Sequence, residues 1–111
     1  MSISVRGRHL AVSDALKAYG VRRLTFAIGS FGSLVSDVEV RVGDMNGPRG
    51  GVDKTSLITA VLRPTGTLLA RARHANAYSA IDRAAVRIRA LLVRHVQRRA
   101  RAHRRDRRMG R

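Results

Sequence analysis

Two stretches of helical period interrupt a series of short runs in which apolar and polar residues alternate. "ISVRGRH" (3–9) alternates Ile3 and Val5 with Ser4 and Arg6 and reads as a strand ended by Gly7. "VSDALKAYGVRRLTFAI" (12–28) reads as a helix. Ser13 is a good N-cap, Asp14 places negative charge in the first turn, and Leu16, Leu24, Ala27 and Phe31 form the apolar face. Gly20 is an unusual guest there and costs about 1 kcal/mol against Ala. "GSFGS" (29–33) ends the helix. "DVEVRV" (37–42) and the β-branched "TSLITAVLR" (55–63) are strands, and "RPTG" (63–66) is a turn. "TLLARARH" (67–74) sets Leu68, Ala70 and Ala72 on one face and Leu69, Arg71 and Arg73 on the other. Asn76 then caps a long second helix running from about Ala77 toward Arg99 or beyond. The order β-α-β-β-β-α predicts an α+β sandwich, a four-stranded sheet packed against two helices.

The second and third strands are joined by "DMNGPRGGVDK" (44–54), a glycine-rich run ending in Lys54. A phosphate-binding loop needs Gly directly before the Lys and a helix after it; here Val52 and Asp53 precede Lys54, and a strand follows. The run is instead a long hairpin connection, in which Gly47, Gly50 and Gly51 supply positive φ and Pro48 stiffens the turn. Arg49 and Lys54 remain available for auxiliary contacts to a larger polyanion.

Charge changes the picture most. The 111 residues form one domain with no cysteine, hence no disulfide, thiolate zinc site or thiol nucleophile. No stretch resembles a signal peptide or a membrane span, so a soluble, cytoplasmic chain is expected. Twenty-three basic residues against seven acids give a net charge of +16, and only Lys17 and Lys54 are lysines. Residues 1–80 carry net +6, and residues 81–111, with twelve arginines against Asp82 and Asp106, carry net +10. Arginine's planar fork suits phosphate and base recognition, so nucleic acid is the expected partner, ahead of an anionic membrane.

The second helix makes this specific. With Arg83 at zero and about 100° per residue, Arg87, Arg94, Arg98, Arg101 and Arg105 fall between about 0 and 60°. Tyr78, Ile81, Ala85, Ile88, Leu92 and Val96 fall between about 140 and 220°, which sets an apolar side roughly opposite an arginine rail. A merely solvated face would mix Glu with Lys and Arg for i,i+4 pairing, and this helix has no Glu. The rail therefore calls for an external counterion, and nucleic acid is the partner it suits. Beyond it, "RRARAHRRDRRMGR" (98–111) reads as an arginine-rich arm, disordered when free and able to order on a phosphate backbone.

Catalytic patterns are weak. His9, His74, His95 and His103 offer no metal-ligand spacing, so no metal or cofactor is expected. Asp37, Glu39, Asp44 and Asp53 read as strand-face and turn residues, and no serine sits in a nucleophile elbow. Tyr19 and Tyr78 read as core or rim aromatics, without a base-stacking motif around them. The chain is expected not to be an enzyme and not to bind a small-molecule substrate.

Two segments carry a resemblance. "GRHLAVSDAL" (7–16) and "AYSAID" (77–82), within "ISVRGRHLAVSDALKAY" and "ARARHANAYSAIDRAAVRIRALLVRH", are similar to the hibernation-promoting factor and ribosome-associated inhibitor A family, over about residues 2–98. The resemblance implies the same β-α-β-β-β-α plan, resembling a double-stranded-RNA-binding domain. It also implies binding to ribosomal RNA of the small subunit in the channel between head and body, competing with tRNA and mRNA and idling ribosomes in stress or stationary phase. The family's basic positions match Arg23, Arg87, Arg94 and Arg98. Arg22, Arg71, Arg73, Arg83 and Arg101 are added from this sequence's own charge pattern. Ala90 stands where relatives commonly keep a basic residue, Gly20 replaces a larger core residue, and loop 43–54 is longer than in the better-known short members. The expected organisation is a ribosome-binding domain at 1–98 and an arginine tail at 99–111, without the dimerisation domain of the long forms. The alternative from charge alone is a nucleic-acid chaperone or DNA-compacting protein with no defined ribosomal site.

Overall fold

The structure is a computed structural model describing residues 1–44 and 54–109, with the side chains of the last two helical residues left undescribed. The elements are β1 (Ser2–Arg8), α1 (Asp14–Ile28), a 3-10 turn (Gly29–Phe31), β2 (Val35–Asp44), β3 (Lys54–Leu62), β4 (Thr67–His74) and α2 (Ala77–Met109). The four strands form one sheet in the order β1-β2-β3-β4. β1 runs parallel to β2, and the other neighbours are antiparallel. One face of the sheet is covered by the two helices, as the alternating pattern predicts.

Both helix starts follow from their caps. Ser13 Oγ accepts from Leu16 N at 3.1 Å, and Asn76 Oδ1 accepts from Tyr78 N at 2.8 Å, in each case satisfying a first-turn N–H that has no intrahelical partner. The core combines Leu24 and Ile28 of α1, Val38, Val40 and Val42 of β2, Ile58 of β3, and Ile81, Ile88 and Leu92 of α2.

Two glycines are required by close approach. Gly7 does not end the first strand; it pairs with Val42 inside β1. A Cβ there would lie 2.0 Å from the Leu10 carbonyl oxygen, because the chain folds back across it. At Gly20 a Cβ would meet Val5 Cγ2 at 2.8 Å, so the glycine lets α1 lie close on β1. β2 and β3 pair down to Asp44↔Lys54, so the glycine run joins antiparallel neighbours. Gly47, Pro48, Arg49, Gly50, Gly51 and Asp53 themselves lie outside the described residues.

The second helix outlasts the fold. Its 33 residues span about 50 Å at 1.5 Å per residue, and the molecule measures 63 × 23 × 19 Å. Leu92 is its last fully buried residue. Residues 99–109 continue the helix where an arm disordered in the free protein is expected from charge. Ala and Arg are both strong helix formers, and the docked half supplies the nucleus that an isolated segment lacks.

Candidate nucleic-acid interface

The fold sorts the expected arginines into two groups. The first gathers at the open edge of β4. Arg71 and Arg73 project from that strand, and Arg83, Arg87 and Arg94 follow one another along the flank of α2 beside it. An edge strand leaves carbonyls without ladder partners, and Arg87 Nη1 donates to the carbonyl oxygen of Arg71. Arg71, Arg73 and Arg87 line one groove of about 590 Å³ with Thr55, Ser56 and Leu57. Arg71, Arg87 and Arg94 line a second of about 300 Å³ with Leu69, Ala90 and Leu91. Arg71 and Arg87 are common to both, and the small Ala90 side chain lies in the second groove with Arg87 and Arg94. Among the described residues, no acidic side chain lines either groove. Arg98 and Arg101 extend the line onto the projecting part of α2, exposed and without a partner among the described residues.

The position of the rail differs from the sequence expectation. Ala80 and Ala84 are fully buried, and they fall at about 60 and 100° on the same helical wheel. The buried arc therefore reaches to the edge of the rail, which runs along the β4 flank and not opposite the core. At the other end of the expected apolar side, Val96 is 42 % and Tyr78 38 % exposed. Alanine is small enough to be read as neutral in a hydropathy pattern, yet it is what lets α2 sit close on the sheet.

The second group lies on α1. Arg23 Nε sits 3.2 Å from Asp82 Oδ1, and Tyr19 donates its hydroxyl to the same oxygen. Tyr19 also meets Tyr78 edge to face, ring centroids 5.0 Å apart. The hydrogen bond to Asp82 raises the Tyr19 pKa above its ordinary 10.0, assisted by burial and by the Asp82 charge. Asp82 of the "AYSAID" segment thus ties α2 to α1, and Arg23 is already engaged in that tie. Arg22 is exposed one residue away.

Other cations serve the fold. Arg89 Nη1 donates to the Ala27 carbonyl at 2.7 Å and its guanidinium lies 5.8 Å from the Phe31 ring centroid. It supplies from α2 the positive charge that the last turn of α1 lacks. Arg63 donates to the carbonyls of Gly32 at 3.0 Å and Val35 at 3.3 Å. Lys54 pairs with Asp44 at 3.0 Å at the base of the β2–β3 hairpin, and Glu39 pairs with Arg41 at 3.0 Å on the uncovered sheet face. Arg49 lies outside the described residues. Counting charge along a sequence does not separate Arg89 and Arg63, whose carbonyl partners lie at and just beyond the end of α1, from arginines without such partners.

Fold and flank together define a class: a small, strongly basic α+β sandwich with an arginine-lined strand edge. A family model described as "Sigma 54 modulation protein / S30EA ribosomal protein" matches residues 3–100, and the chain belongs to that family. Membership places it among ribosome-associated proteins. Among solved structures, a ribosomal subunit interface protein from Coxiella burnetii superposes with a TM-score of 0.74 at 18% identity, covering 87% of this chain and 99% of that one. The N-terminal domain of Thermus thermophilus Protein Y superposes with a TM-score of 0.69 at 25% identity, covering 86% and 99%. No curated protein matches the chain in sequence. Among the described residues, no helix is long and apolar enough to cross a membrane.

Proposed function

We propose that this protein is a non-enzymatic, cytoplasmic translation-silencing factor. It binds ribosomal RNA of the small subunit in the channel between head and body, excludes tRNA and mRNA, and idles ribosomes in stress or stationary phase. The observation that carries the reading is the line of Arg71, Arg87 and Arg94 around two adjoining grooves with no acidic side chain among the described residues that line them. Its spacing along an edge strand and a rigid helix suits successive phosphates, and Arg83, Arg98 and Arg101 lengthen it. The action is steric: a compact basic wedge held by arginine–phosphate pairs, with Arg22 and the loop residues Arg49 and Lys54 as auxiliary contacts.

Sedimentation of stationary-phase lysate tests the reading. The protein is expected in fractions that contain the small subunit and absent from them when Arg87, Arg94 and Arg98 are replaced by Gln. If it instead follows bulk nucleic acid and avoids those fractions, it is a general nucleic-acid chaperone or compacting protein.

A further inference from the structure

The outer surface of the helix layer carries a feature that arginine–phosphate pairing leaves unexplained. Phe26, one of only four aromatic residues in the chain, is 87 % exposed on α1. Beside it on α2, Val86 is 60 % exposed. Phe26 stands between two shallow hollows. One is lined by Tyr19, Val21, Arg22, Arg23 and Thr25; the other by Arg23, Ala27, Ala85, Val86 and Arg89. Among the described residues, every charged one in these linings is an arginine.

A bare phenyl ring on a helix gains nothing from the fold, since Leu24, Ala27 and Ile28 already fill the space beneath α1. An apolar patch left in water signals a partner, and the chemistry of its rim selects which one. Arginines around an aromatic face match a ligand that offers both phosphates and π-faces, which is unpaired nucleic acid. Duplex backbone would meet the arginines but has no exposed base for the ring. We infer that Phe26 is a base-stacking residue: an unpaired nucleobase lies on its ring against Val86, while Arg22 takes an adjacent phosphate. Arg89, held to the Ala27 carbonyl, frames the site as fixed positive charge, while Arg23 is neutralised by Asp82. This rests on the ribosomal-RNA reading above and adds to it a second contact surface, on the opposite flank of α2 from the β4 grooves.

The chain contains no tryptophan, so Phe26→Trp introduces a single indole reporter at the site. We would titrate that variant with a short unstructured mixed-sequence RNA and with inorganic polyphosphate, an anion without bases. RNA is expected to quench the indole and polyphosphate to leave it unchanged. Phe26→Leu, which keeps an apolar helix former at an exposed position, is expected to weaken RNA binding about tenfold while leaving polyphosphate binding and the circular dichroism spectrum as in the parent. Equal RNA affinity for Phe26→Leu and parent, or equal quenching by both anions, overturns the inference. If Phe26→Leu binds free RNA normally but isolated small subunits less well, the occupant is a protein surface and the inference also falls. The ribosomal reading is judged separately, by whether the parent binds isolated subunits at all; failure there removes both.

Discussion

The two halves of α2 are both rich in arginine and alanine and do opposite things. In the docked half, Ala80, Ile81, Ala84, Ala85, Ile88 and Leu92 are buried, and two of the three arginines between them have protein partners: Arg87 on the Arg71 carbonyl and Arg89 on the Ala27 carbonyl. In the projecting half, residues 96–107 are all exposed, and Arg98, Arg101, Arg104 and Arg105 have no partner among the described residues. The difference shows that arginine density alone does not define a site. A guanidinium held by a carbonyl is preorganised and presents its remaining donors in a fixed direction. One on a bare helix contributes charge without direction.

The largest effect should come from separating the rail of Arg87, Arg94 and Arg98 from the tail beyond it. Replacing Arg87, Arg94 and Arg98 together by Gln is expected to abolish inhibition of cell-free translation with the circular dichroism spectrum retained. Deleting residues 100–111 is expected to weaken binding in a salt-sensitive way and to leave competition with tRNA intact. The opposite pattern would make the protein a structured anchor for a basic arm.

Salt sharpens the same contrast. With six to eight arginines on phosphates, log K against log salt should slope by about −4 to −7 for the whole chain. The tail deletion should make the slope shallower by about 0.7–0.9 for each phosphate contact it removes. A whole-chain slope shallower than about −2 would remove the rail from the interface.

Stability should divide at the same point along the helix. Leu92→Ala is expected to cost about 2–5 kcal/mol in chemical unfolding. Arg101→Ala should stay within about 0.5 kcal/mol of the parent. A comparable loss at Arg101 would mean that the projecting half packs in solution.

The smallest effect concerns the tie that holds α2 to α1. Because the folded state raises the Tyr19 pKa above 10.0, the unfolded chain releases this proton first. The stability from the Tyr19–Asp82 bond is therefore complete below the ordinary tyrosine value and is lost as pH rises through the raised one. Tyr19→Phe should lose about 0.5–1.5 kcal/mol at neutral pH. Unfolding midpoints of parent and variant should then converge above about pH 10. Parallel curves across that range would show that the bond contributes nothing.

Much of this was legible in residue order. Ser13 and Asn76 mark the helix starts because a capping side chain does its work within three residues, and alternation marks β2, β3 and β4 because their two faces meet different media. What escaped is what depends on approach between distant segments. Gly7 reads as a strand end until Leu10 folds over it, and Gly20 reads as a helix defect until Val5 lies against it. For the candidate site, the arginines of α2 were visible as a line, but its setting beside β4 was not, since that depends on how deeply Ala80 and Ala84 settle. Nor does sequence separate Arg89 and Arg63, which close carbonyls, from Arg83 and Arg94, which do not. Phe26 had a signal: about 280° from Leu16 on the α1 wheel, it lies off the arc that holds Gly20, Leu24, Ala27 and Ile28.

The strand order has a consequence for the newborn chain. Each strand pairs with its neighbour in sequence, and every strand of the sheet has been made before α2. The last part made is α2, and with it the Arg87 bond to the Arg71 carbonyl. Until α2 docks, neither β4 groove exists, because Arg87 lines both. A growing chain therefore gains most of its charge, net +10 in residues 81–111, together with its binding geometry, and the surface proposed to silence ribosomes is complete only when α2 docks.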